Sequence, residues 1–125
     1  MKRDRLERSP QLYLSEIISY IDIIESITKG LTYETFIKDV RNIYAVDDLI
    51  RNIGEAVRVL TKHRKVKQLF YNYRIPYIDL ADMRTDLTHE YFSMNTKSLW
   101  QTATQTLPKL KPQFKKALNE LQKPK

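Results

Sequence analysis

Apolar residues recur at three- and four-residue intervals along most of this chain, and the places where the rhythm fails predict four amphipathic helices. The first begins with Ser9 as N-cap and Pro10 in the first turn, where a missing N–H costs nothing. Leu14, Ile17, Ile18, Ile21, Ile24 and Ile27 form its inner stripe, and Lys29-Gly30 reads as the stop. The second takes Thr32 as its cap and runs to about Thr61, with Phe36, Val40, Ile43, Ile50, Val57 and Leu60 facing inward. Two positions on that stripe are odd: Asp47, which suits a buried cation, and Gly54, which suits close approach of another helix.

Residues 62–75, "KHRKVKQLFYNYRI", lack a clean period and read as a basic connection with room for one short helix. The third helix starts at Pro76 and runs to about Phe92, and "SMNT" breaks the pattern after it. The fourth starts near Asn95 or Thr96 and continues to about Leu121, with Leu99, Trp100, Ala103, Leu107, Leu110, Phe114, Ala117, Leu118 and Leu121 inside. Pro108 and Pro112 are expected to bend it. The fold class is therefore all-α: an antiparallel four-helix bundle, one domain over residues 1–125 with a basic arm at 1–9. Surplus aromatic side chains, eight tyrosines among them, leave material for a dimer interface.

Composition narrows the chemistry. With no cysteine, disulfides, thiolate nucleophiles and cysteine zinc sites are excluded. The two histidines, His63 and His89, form no H-E-x-x-H pattern, so no metal site and no cofactor are expected. The start "MKRDRLERSP" has no apolar core, and no apolar run reaches the roughly 20 residues that span a bilayer, so a soluble cytoplasmic protein without membrane contact is expected. The formal charge of +7 favours a polyanionic partner. Its densest internal cluster, Lys62, Arg64, Lys65 and Lys67, is a candidate RNA-binding patch, with an acidic protein face as the other possible partner.

The stretch "MRTDLTHEYF" (83–92) carries the candidate chemistry. On a straight helix at about 100° per residue, Arg84 lies within about 40° of Leu80, inside an apolar stripe shared with Leu87 and Tyr91. A guanidinium there needs a partner, and Asp47, Glu55 and Asp86 are the candidates. His89 falls about 140° from Arg84 on the same wheel. Taken singly, each residue also has an ordinary structural reading: an interior ion pair, a tethered core tyrosine, a hydrogen-bonding histidine.

The spacing resembles the R-x-x-x-x-H-x-Y signature of HepT-like toxins in the HEPN superfamily of ribonucleases, with Arg84, His89 and Tyr91 at the marked positions. "RNIGEAVRVL" (51–60) is similar to the family's I-G-E-A segment, and "IPYIDLADMR" (75–84) to its lead-in. "NTKSLWQTATQTLPKLKPQ" (95–113) resembles the stretch after the histidine, so the likeness covers roughly residues 10–121. Thr85 departs from the asparagine usual after the arginine, which bears on catalytic strength more than on fold.

The resemblance implies a metal-independent endoribonuclease that uses the RNA's own 2′-OH as nucleophile. Arg84 and His89 would be catalytic; Thr85, Asp86, Glu55 and Asp47 would support them. It also implies a toxin of a type II toxin–antitoxin pair, silenced by a minimal nucleotidyltransferase antitoxin that adds AMP to Tyr91, and a homodimer. A dimer, or a helix loosened near "SMNT", would reconcile the separation of about 140° that five steps of about 100° put between Arg84 and His89. Two competing expectations belong to other classes: a noncatalytic helical partner of a nucleotidyltransferase, and a basic RNA-binding bundle without chemistry.

Overall fold

The computed structural model describes residues 9–83, 87, 90 and 92–124. Among these the chain is all-α, with no strand: α1 (Pro10–Thr28), α2 (Tyr33–Phe36), α3 (Val40–Leu60), α4 (Arg64–Asn72), α5 (Tyr77–Ala81), α6 (Phe92–Gln101) and α7 (Leu107–Gln122), the last two joined by a π-helical stretch, Thr102–Thr106. No described helix is long and apolar enough to cross a membrane.

α1 begins and ends as its sequence predicts. The Ser9 hydroxyl accepts from the Leu12 N–H at 3.2 Å, and Gly30 supplies a φ of 77° just past the end. α1 runs antiparallel to α7: Gln11 donates to the Leu121 carbonyl, while Lys111 reaches back to Asp22 and Glu25. Leu14, Ile17, Ile21 and Ile24 are buried against Ile43, Val46, Ile50, Ile53 and Val57 of α3 and Leu107, Phe114 and Ala117 of the last helix. Ile18 and Ile27 sit at the edge of that core.

The second predicted helix is two helices. Thr32 caps α2 by a reciprocal exchange with Thr35, and the chain then leaves the helix. Asp39, extended at φ −115°, caps a fresh start by accepting from the Arg41 N–H at 3.0 Å. Val40, expected inside a continuous helix, instead becomes the first residue of α3 and is 53 % exposed. The "basic connection" holds a nine-residue helix, α4, with Val66, Leu69 and Phe70 buried. It ends in a Schellman motif: the Ile75 N–H bonds to the Phe70 carbonyl at 2.8 Å and the Arg74 N–H to the Tyr71 carbonyl at 3.1 Å.

The third predicted helix is cut short. α5 ends at Ala81, Asp82 and Met83 close it with three-residue hydrogen bonds to Asp79 and Leu80, and Leu87 is not helical. "SMNT" is not a break but lies within α6, where Thr96 is buried and accepts or donates with the Tyr33 hydroxyl at 3.0 Å. Pro108 acts on the turn before it. A proline ring excludes the carbonyl four residues back, here Thr104, and the chain widens so that the Leu107 N–H bonds to Thr102 instead. Pro112 is carried inside α7.

Candidate functional site

Of the residues singled out from the sequence, Arg84, Thr85, Asp86, His89 and Tyr91 lie outside the described residues. What the structure provides is the frame that leads into them. The single helix expected from Pro76 to about Phe92 is interrupted among the described residues, since α5 ends at Ala81 and Leu87 is not helical.

The frame is fixed by α3. Gly54 lets the end of α5 come close: a Cβ built on it would stand 2.8 Å from the Leu80 carbonyl oxygen and 3.7 Å from that of Ala81. The Leu80 oxygen cannot swing aside freely, because it accepts the Met83 N–H at 3.2 Å. One turn further along α3, Arg58 donates to the Ala81 carbonyl, one of the helix-end oxygens without an intrahelical partner. Arg58 is held in turn by Glu55. Sequence expectation of a close helix at Gly54 is thus met by the backbone of α5.

Glu55 and Asp47, both candidates to receive Arg84, have arginines of their own helix: Glu55 pairs with Arg58 and Asp47 with Arg51. These i,i+3 and i,i+4 pairs were readable in the sequence from spacing alone. They do not saturate Asp47. Its residue is 7 % exposed; Oδ2 accepts from Arg51 Nε at 2.9 Å, while Oδ1 meets no hydrogen-bond partner among the described residues. That oxygen has room in its hydrogen-bonding capacity for a further donor. Beside these residues a hollow of about 200 Å³ is lined by Arg51, Gly54, Glu55, Arg58, Ala81 and Met83. Among the described residues no three His, Cys, Asp or Glu side chains gather as a metal ion would need.

On the other side of α5 the surface is basic and aromatic. Three hollows of about 550, 270 and 350 Å³ all share Tyr77 as a wall. Of the four predicted basic residues, Arg64 and Lys67 line this groove, while Lys62 and Lys65 are exposed outside its lining. Helical spacing accounts for the division: Arg64, Lys67, Gln68 and Tyr71 follow one face of α4, and Lys65 is turned by about 100° from Arg64. Tyr71, Tyr77 and Arg74 are the lining residues that the sequence reading missed.

The same residues fall within a recognisable family. The family model described as "Ribonuclease HepT-like" matches residues 17–117. The chain is 36% identical over 116 residues to the Methanocaldococcus jannaschii protein named "Putative RNase MJ0125", covering 93% of this chain and 97% of that one. It is 33% identical over 111 residues to "Probable ribonuclease HepT" of Thermococcus cleftensis, covering 89% and 97%. With "Putative RNase TTE0752" of Caldanaerobacter subterraneus it shares 32% over 113 residues, covering 90% and 97%. No solved structure gives a significant match. An all-α chain with the R-x-x-x-x-H-x-Y residues after a pinned α5, matched over most of its length, belongs to the HepT-like ribonuclease family.

Proposed function

We propose that this HepT-like chain is an endoribonuclease that cleaves RNA without a metal. The family match over residues 17–117, which includes Arg84, His89 and Tyr91, is the observation that carries the reading. In the reaction the RNA's 2′-oxygen loses its proton to a base and attacks the adjacent phosphorus. The P–O5′ bond breaks, the departing 5′-oxygen takes up a proton, and a 2′,3′-cyclic phosphate remains. His89, with an imidazole's reference pKa of about 6.5, exchanges protons near neutrality. Arg84 holds the non-bridging oxygens through paired N–H bonds as charge grows on them. The bare Oδ1 of Asp47 supports a role for that carboxylate in receiving the Arg84 guanidinium and setting its direction. Asp86 and Glu55 remain secondary supports, Glu55 through Arg58 and the α5 terminus.

The finer biology follows the same resemblance. The chain acts as a toxin, and a minimal nucleotidyltransferase antitoxin silences it by adding AMP to Tyr91, placing negative charge where the substrate phosphate belongs. Two copies form a homodimer whose paired sites face one cleft. Thr85, in place of the usual asparagine, favours one rival: a noncatalytic subunit that docks on the nucleotidyltransferase.

Expression of wild type, Arg84→Ala and His89→Ala without a partner separates these readings. Wild type alone should arrest growth and leave RNA ends bearing cyclic phosphates. Identical behaviour of all three would remove the ribonuclease reading, and a Tyr91→Phe protein that the antitoxin still modifies and silences would remove the AMP acceptor.

A further inference from the structure

We infer that the groove between α4 and α5 is a subsite for single-stranded RNA, with Tyr71 as a base-stacking platform and Arg64, Lys67 and Arg74 as its phosphate clamps. The inference deepens the ribonuclease reading and rests on it for the identity of the strand as RNA.

An exposed tyrosine alone would mean little, since single apolar side chains on a surface are ordinary. Tyr71 is 70 % exposed, but its surroundings are not ordinary. It stands between two of the three hollows that meet at Tyr77, with Arg74 on one side and Arg64 and Lys67 on the other. Lys67 Nζ lies 5.9 Å from the Tyr77 ring centroid, which sets a cation against an aromatic wall. Among the described lining residues three side chains are positive and one, Asp82, is negative, at the far end of the groove. Positive charge on either side of one exposed ring, Tyr71, backed by the half-buried Tyr77, is chemistry that can hold an unpaired strand. Phosphates pair with the cations, and bases, which all have a π-face, lie on the rings without regard to sequence. A duplex keeps its bases stacked on one another and gains nothing from Tyr71.

The direction of the groove fits a strand entering a cleavage site. It runs from Asn72 and Arg74 past Tyr77 to Ala81 and Asp82, and the chain continues from there into the R-x-x-x-x-H-x-Y residues. Arg74 adds an independent sign. It occupies the left-handed position of the Schellman motif at φ 60°, where glycine is the unstrained choice. Folding alone does not require an arginine there; a phosphate in the groove gives the guanidinium a purpose.

The full-length protein and a fluorescein-labelled 2′-O-methyl dodecauridylate test the subsite, because blocking the 2′-oxygen prevents cleavage and lets anisotropy report binding alone. Tyr71→Ala should weaken binding by about tenfold, and Tyr71→Phe should keep it, since the ring and not the hydroxyl is used. Arg74→Gly should lose affinity while its melting temperature stays equal or rises, the opposite of what a structural role would give. Duplex RNA of the same length should compete poorly. The subsite is overturned if Tyr71→Ala and Arg74→Gly bind like wild type, if duplex competes equally, or if these variants lose only an acidic protein partner. Wild-type cleavage of unmodified RNA is scored separately. Cleavage with Tyr71-independent binding sinks the groove and leaves the ribonuclease, whereas Tyr71-dependent binding without cleavage does the reverse.

Discussion

Gly54 and Leu80 are in contact through backbone alone: a methyl group on the glycine would stand 2.8 Å from the Leu80 carbonyl oxygen. In an ordinary mid-helix position Gly→Ala stabilises by about 1 kcal/mol through helix propensity. Here the oxygen is tied to the Met83 N–H, so the clash must be relieved by moving the end of α5. Gly54→Ala is expected to lose about 1–3 kcal/mol in urea unfolding, the range of an overpacked contact. RNA cleavage should fall further than stability does, because the displaced segment leads into Arg84. A higher unfolding midpoint would show that α5 is not held against α3 in solution.

Asp47 offers a cleaner separation of stability from chemistry. Its Oδ2 is taken by Arg51 and its Oδ1 is bare among the described residues, so the charge is expensive where it stands. Asp47→Asn keeps the shape and removes the charge. Its melting temperature should match or slightly exceed wild type, while the cleavage rate drops at least about tenfold, the loss expected when a charge-assisted contact worth about 1.5–3 kcal/mol disappears. If Asp47 acts through Arg84, adding Arg84→Ala to this variant should cost little more than Arg84→Ala alone. Additive losses, or full activity with raised stability, would leave Asp47 as an ion pair with Arg51 and nothing more.

How far the sequence could be read depends on which interactions are local. α1, with Ser9, Pro10 and Gly30 at its ends, was legible because caps and stripe agree within one segment. Gly54 was legible for the same reason: an unfavourable residue on an apolar stripe signals close approach. The breaks at 37–39 and after Ala81 were not. In the first, Asp39 restarts a helix that apolar spacing alone would continue; in the second, Leu80 and Leu87 keep the spacing of a helix although α5 ends at Ala81, where its contacts come from Arg58 and Gly54, distant in sequence. The groove of Tyr71, Tyr77 and Arg74 was invisible because it joins two elements, and a pattern within one cannot show it. Arg74 in particular gives no sequence sign of its left-handed backbone, since glycine usually marks that position.

Lys111 ties α7 to α1 through Asp22 at 2.8 Å and Glu25 at 2.7 Å. The hydrogen bond to Asp22, then that to Glu25, raises its pKa above the model-peptide 10.5. A cation whose folded pKa is raised contributes stability that is complete below the unfolded pKa and is lost as pH climbs through the folded one. Lys111→Met should therefore be less stable than wild type near neutrality, by at most about 1 kcal/mol for a pair so near the surface. The two proteins should converge as pH rises beyond 10.5. Tyr73, raised by burial and by donating to Glu120, titrates in the same alkaline range, but it is present in both proteins and cancels in the difference. Parallel curves across that range would mean the bridge does not hold in solution.

The two halves of the basic cluster can be told apart by salt. Arg64 and Lys67 line the groove, and Lys62 and Lys65 are exposed outside it, so neutralising either pair removes the same net charge. If binding depended on overall charge, Arg64→Gln with Lys67→Gln and Lys62→Gln with Lys65→Gln would weaken a single-stranded oligonucleotide equally. If the groove holds the strand, only the first pair loses phosphate contacts. Each contact with a single strand contributes about 0.7 to the slope of log affinity against log salt, so the groove pair should flatten that slope by about 1.4. The outer pair should lower affinity through long-range attraction, which fades beyond a Debye length of about 10 Å at 0.1 M salt, and should leave the slope nearly unchanged. Anisotropy titrations at four salt concentrations suffice to measure it. Equal slopes for the two double variants would mean that the strand does not lie between α4 and α5, and the phosphate clamps would have to be sought on another face.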